Sequence, residues 1–125
     1  MSKKILIRSG KITMEAELND SSTASALFAA LPLSARANTW GDEIYFQVPV
    51  DRKLDASATD LVEVGDLGYW PSGSAFCIFF GPTPISRKDE IRPASAVNLI
   101  GKVIGDARVF KAVRDDDLIE LDVAR

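Results

Sequence analysis

The amino-acid sequence predicts a mainly β protein, a closed antiparallel barrel capped by two short helices, and three observations carry that reading. Short apolar segments separated by turn residues recur along the chain and add up to seven or eight strands, whereas two stretches have a helical pattern. Strands outnumber helices too heavily for a doubly wound parallel sheet, which needs a helix after nearly every strand. Closure also removes the edge strands that such apolar segments could not leave exposed without risking aggregation.

The first element is a hairpin. Lys3 to Arg8 is rich in β-branched residues, Ser9-Gly10 supplies a turn, and Ile12, Met14, Ala16 and Leu18 then alternate with polar residues, the pattern of a strand buried on one face. Asn19-Asp20-Ser21-Ser22 can cap a helix over Thr23 to Leu31, in which Ala24, Leu27, Phe28 and Leu31 share one face. Pro32 ends it, because the residue before a proline is pushed out of the helical region. Ile44, Phe46 and Val48 make the next alternating face, and Val62 and Val64 a shorter one. Turns are expected at Trp40-Gly41-Asp42, Gly65-Asp66 and Pro71-Ser72-Gly73. Ala75 to Phe80 is apolar without alternation, which indicates a strand covered on both faces. Gly81 to Pro93 reads as a long loop and Val97 to Ile104 as a strand. Asp106 caps a second helix over Ala107 to Val113 with Val109, Phe110 and Val113 on one face, and a last strand carries Ile119, Leu121 and Val123 on one side. Ile12, Leu27, Phe28, Phe46, Ile78 and Leu121 are expected in the core.

Residues 1–125, 13.6 kDa, have the length of one ordinary domain, and the chain reads as a single domain. A hydrophobic fraction of 46% with 26% charged residues is that of a soluble globular protein. No apolar stretch is long enough to span a bilayer, and Ile5-Leu6-Ile7 gives way to Arg8 too soon for a signal peptide, so the expected location is the cytoplasm, with no membrane partner. With no His and a single Cys, Cys77, the chain has no disulfide within it, no His/Cys metal site and no His-based catalytic triad. A net charge of −3, with neither half basic, argues against nucleic acid as a partner. Gly101-Lys102 is followed by valine rather than by a phosphate-loop hydroxyl, and no cofactor or metal is expected. Nothing in the sequence fixes an oligomeric state.

Four segments carry a family likeness: Asn38-Thr39-Trp40-Gly41-Asp42-Glu43-Ile44-Tyr45-Phe46, Gly65-Asp66-Leu67-Gly68-Tyr69-Trp70-Pro71, Phe79-Phe80-Gly81-Pro82-Thr83-Pro84, and Ala94-Ser95-Ala96-Val97-Asn98-Leu99-Ile100-Gly101. In these the chain resembles a family of small bacterial and archaeal proteins of unknown function with a cyclophilin-like fold. The resemblance implies an eight-stranded barrel closed by two helices. Cyclophilins proper are peptidyl-prolyl isomerases, in which an Arg and an aromatic pocket act on the prolyl bond. Their Phe-His-Arg and Gln-Gly-Gly segments have no counterpart here, and neither Arg36 nor Arg92 matches the catalytic arginine by motif. Fold alone does not confer activity.

Most of the aromatic residues fall in these segments. Phe46, and Phe79 or Phe80, read as core. Trp40 and Trp70 stand at turns, beside Gly41 and Pro71, where an indole either plugs a barrel end or, with Tyr45, lines a ligand cleft. Asp42-Glu43 reads first as a solvated hairpin turn; the sharper reading makes Glu43 an acid or base in the cleft, its pKa raised by burial. Arg92 is structural or else a clamp for a ligand carboxylate beside aromatic faces. Arg87-Lys88-Asp89-Glu90 reads as a solvated loop, Ser72 and Ser74 as turn residues, and Cys77 as a buried structural thiol.

Two functions compete on this reading. One is a binding module whose cleft, formed by Trp40, Glu43, Tyr45, Trp70 and Arg92, accepts a small molecule or peptide. The other is a peptidyl-prolyl cis-trans isomerase with altered active-site residues.

Overall fold

The computed structural model describes residues 3–124. Its elements are β1 (Lys3–Ser9), β2 (Ile12–Leu18), α1 (Ser22–Ala29), β3 (Leu33–Arg36), β4 (Asn38–Thr39), β5 (Glu43–Gln47), β6 (Ala58–Thr59), β7 (Asp66–Trp70), β8 (Ala75–Phe79), β9 (Val97–Ile104) and β10 (Leu118–Val123). Short 3₁₀ segments occupy Pro71–Gly73 and Ala107–Ala112. All strand pairs are antiparallel, within one ten-stranded sheet ordered β3-β10-β1-β2-β9-β7-β8-β5-β4, with β6 paired to β9 beside that path.

The mainly β, antiparallel character is as the sequence implies, but the expected closed, eight-stranded barrel is corrected. The hydrogen-bonded path is open, ending at β3 on one side and β4 on the other. Those two edge strands are consecutive in the chain, with the fully buried Ala37 between them. A covalent link rather than a ladder of hydrogen bonds joins the ends of the sheet, and Ala37 donates to the Asp117 carbonyl at 2.8 Å to hold the join.

Paired residues in an antiparallel ladder share a face, so the register sorts the side chains. Ile44, Phe46, Phe76, Ile78, Leu67 and Tyr69 point to the main core, where they meet Ile5, Ile7, Leu27, Phe110 and Leu121. Glu43, Tyr45, Phe79, Cys77, Ala75, Gly68 and Trp70 lie on the opposite face. There Val62 and Ile91 cover a second apolar cluster of Ala75, Cys77, Phe79 and Val97. β8 is therefore buried at all five positions, as its unbroken apolar run implies.

Helix α1 is capped by Ser21, whose hydroxyl accepts from the Ala24 amide at 3.1 Å, and it buries Thr23, Ala24 and Leu27. It stops at Ala29, two residues before the expected Leu31, because Leu31 precedes Pro32. Phe28 and Ile12, expected inside, are half-buried at the rim of the core, with the Lys3 ammonium 5.5 Å from the Phe28 ring centroid. The second helix is 3₁₀ rather than α. Ala107, Phe110 and Val113 are its buried positions, a period of three, and Val109 turns outward. The strand expected around Val62 and Val64 reduces to one bridge from Val62 to Ile91, and Asp66, expected in a turn, begins β7. No helix among the described residues is long and apolar enough to cross a membrane.

Candidate functional site

A cavity of about 270 Å³ opens on the second face of the sheet, lined by Trp40, Glu43, Tyr45, Trp70 and Ala94. Four of the five residues expected to form a cleft thus meet at one place, on the outer face of β5 rather than at a barrel end.

The hairpin of β4 and β5 supplies three of them. Asn38 pairs with Tyr45 and Thr39 with Ile44, and the Trp40 amide donates to the Glu43 carbonyl at 2.9 Å, which leaves Gly41-Asp42 as a two-residue turn. Gly41 has φ +60°, the conformation such a turn favours at its first central residue, and a Cβ there would lie 2.8 Å from the Pro82 carbonyl oxygen. The tip is therefore tied to the loop behind it: the Asp42 amide donates to Pro82 O at 2.9 Å and the Phe80 amide to Asp42 O at 3.0 Å.

Trp70 ends β7, and the 3₁₀ turn after it sets the indole. A Cβ on Gly73 would fall 2.8 Å from ring atoms Cε3 and Cζ3, so the glycine lets the ring fold back over the turn. The indole N–H donates to the Ser95 hydroxyl at 2.6 Å. Sequence reasoning missed Ser95 and Ala94 as site residues. The available signals were an indole in need of an acceptor and their place in a segment of family likeness.

Glu43 departs from the solvated turn that its setting first suggests. It is 5% exposed, and no described group donates to its Oε1. Burial raises its pKa from 4.5 to about 7, with a small opposing effect of the Cys77 thiol. Cys77 is itself pushed well above the usual thiol range, by burial first and then by the Glu43 charge, so it stays protonated and unreactive.

Arg92 does not line the cavity. Its Nε lies 2.9 Å from Glu90 Oε2 and its Nη1 3.8 Å from Asp60 Oδ2. Its peptide groups pin the loop instead: the amide donates to the Ser86 hydroxyl at 3.0 Å, and the carbonyl accepts from the Thr83 hydroxyl at 2.5 Å. The Arg87-to-Glu90 stretch is a largely exposed loop. Chemically the cavity offers π faces, two indoles of which Trp70 has its N–H engaged by Ser95, and one buried carboxyl with a free oxygen.

Across residues 3–122 the chain matches the model of the family described as Cyclophilin-like. It is similar to the solution structure of a hypothetical protein from Archaeoglobus fulgidus, at 41% sequence identity and a TM-score of 0.82, over 98% of this chain and 95% of that one. Among curated proteins none matches the chain.

Proposed function

The chain belongs to the Cyclophilin-like family, and from that premise we propose that it is a binding module which takes a small molecule or a peptide segment between Trp40, Tyr45 and Trp70. The observation that carries this reading is their convergence, with Glu43, on one cavity. Packing explains part of it, since Tyr45 and Trp70 rest on the second apolar cluster. Trp40 belongs to neither cluster, and Trp40, Tyr45 and Trp70 each keep part of their surface in solvent. Apolar walls with few polar groups are what small-ligand sites offer.

The isomerase reading is less well supported. It needs a guanidinium at the prolyl bond, whereas Arg92 is held by Glu90 and Asp60, and Arg36 on β3 donates to the Asp116 carbonyl at 3.3 Å. No arginine is among the cavity's lining residues.

A thermal-shift screen of metabolites and short peptides tests the proposal. A ligand at a hundred times its dissociation constant adds about 2.7 kcal/mol of stability. Hits are expected to quench or shift tryptophan emission, and the stabilisation they give should shrink on Trp40→Phe, Trp70→Phe double substitution. A protease-coupled assay on a proline-containing peptide decides against the alternative if the uncatalysed phase, tens of seconds long, is unchanged. Acceleration lost in Arg36→Ala or Arg92→Ala would reinstate the isomerase.

A further inference from the structure

Three features of the cavity bear on what it accepts. First, Glu43 Oε1 is enclosed and takes no hydrogen bond from any described residue. Second, no lysine or arginine among the described residues stands within ion-pair distance of that carboxyl. A desolvated carboxylate with the weak Cys77 thiol as its one donor and no cation is costly, and native proteins rarely leave one so without a function. Third, the aromatic side chains of Trp40, Tyr45 and Trp70 line the same space, and aromatic faces attract cations. An alcohol would satisfy Oε1 but leave its charge unbalanced, and a carboxylate ligand would meet a like charge.

We infer that the cavity is built for a small organic cation, a protonated alkylamine whose N–H donates to the free oxygen of Glu43 while its carbons pack against Trp40, Tyr45 and Trp70. This rests on the binding reading and adds the chemical class. A free amine and the side chain of a peptide lysine present the same group. A second property follows from the same geometry: the amine favours the charged form of Glu43, so its binding expels a proton from that carboxyl near neutral pH. Of the groups that surround Glu43, the Cys77 thiol on β8 is titratable and stays protonated, and Tyr45 shares its strand. The segments carrying Trp40, Trp70 and Ala94 add no charged side chain to the lining.

The test is a set of tryptophan-fluorescence titrations with n-butylammonium, n-butanol, butyrate and Nα-acetyl-lysine N-methylamide. At pH 8, butylammonium is expected to bind at least tenfold more tightly than butanol, with butyrate weakest. At pH 5.5 the advantage over butanol should shrink to threefold or less. Glu43→Gln should erase it at both pH values. Calorimetry of the unsubstituted protein at pH 7, in two buffers of different ionisation enthalpy, should show net proton release on butylammonium binding, a readout independent of how well the variant folds. Tighter binding of the lysine derivative than of butylammonium assigns the cation to a peptide, and weaker binding to a free amine. Butanol or butyrate matching butylammonium at pH 8, or no proton release, overturns the cation class and leaves the binding reading intact. Should no probe perturb the tryptophans while a ligand from the thermal-shift screen does, the cation class again falls by itself. If neither does, the binding reading falls with it.

Discussion

The Tyr45 and Trp70 rings meet edge-on, their centroids 6.3 Å apart and their planes at 79°. The contact joins β5 to β7 across β8, whose small Ala75 and Cys77 side chains occupy the same face between them. Two large rings can thus lean together over small residues, and their mutual position is set by the sheet rather than by a loop. A preorganised wall of this kind loses little entropy on binding.

Trp40→Phe and Trp70→Phe are each expected to fold normally, since phenyl keeps most of the apolar contact. Each should weaken ligand binding by about 1 to 3 kcal/mol through lost stacking area. Titration of the screening hits against both variants checks this, and unchanged affinity in both would remove the aromatic walls from the site.

Gly73→Ala places a methyl 2.8 Å from the Trp70 ring and should tilt the indole away from Ser95. With Trp40→Phe as background, Trp70 is the single emitter. Its emission should shift to the red in Gly73→Ala and, by a smaller amount, in Ser95→Ala. Identical spectra would show that neither residue sets the indole.

Glu43 gives stability a sign that few carboxylates do. Its folded pKa, about 7, lies above the ordinary 4.5, so the native state binds the proton more tightly than the unfolded chain. Its favourable contribution is complete below about pH 4.5 and is lost as pH rises through about 7, a span on the order of 3 kcal/mol. Urea denaturation at half-unit steps between pH 4.5 and 8.5 should therefore show the difference in stability, wild type minus Glu43→Gln, falling with pH. A difference that stays constant means the carboxyl is not desolvated as described.

Asn98 is fully buried and joins three segments: its side-chain amide donates to Lys53 O at 2.9 Å and to the Thr23 hydroxyl at 3.1 Å, and its Oδ1 accepts from the Asp55 amide at 2.8 Å. Asn98→Ala orphans these groups and should cost about 1 to 3 kcal/mol. Hydrogen exchange should show the 51–57 loop opening first. Protection equal to wild type in that loop would mean other contacts hold it.

Leu27→Ala should cost about 2 to 5 kcal/mol, because Leu27 is the largest fully buried side chain of α1 in the main core. A loss within experimental error would mean that α1 does not cover the core.

Where local pattern decides, the sequence is informative. Period-two alternation marks β2 and β5, the unbroken run marks β8, and the Ser21 cap starts α1. Trp40 and Trp70 stand out because an indole at a turn has no local reason to be there. Glu43 is misleading, since β8, remote in sequence, pairs it with Phe79 and sets it in a cavity wall with Trp70 and Ala94. Arg92 misleads the other way: its nearest acid, Glu90, is two residues off and takes the charge that the cleft reading reserved for a ligand. Closure of the barrel is illegible for a simple reason. Whether β3 and β4 pair depends on the geometry of the seven strands between them in the sheet, and no local signal encodes it.

β1 pairs with β10 through Ile5 opposite Val123, and β3 has β10 as its partner strand. During synthesis, when residues emerge at about 5 to 20 per second, neither partnership can form until β10 has left the ribosome. For that interval the nascent chain holds β1 as a bare edge, open to pairing with a neighbouring chain. Lys4 and Arg8 on its outward positions supply the charge that makes such pairing unfavourable, and Arg8 later finds Asp122 at 3.8 Å, on the strand that relieves it of the task. Arrival of β10, rather than collapse of the first hairpin, is then the event that completes the sheet.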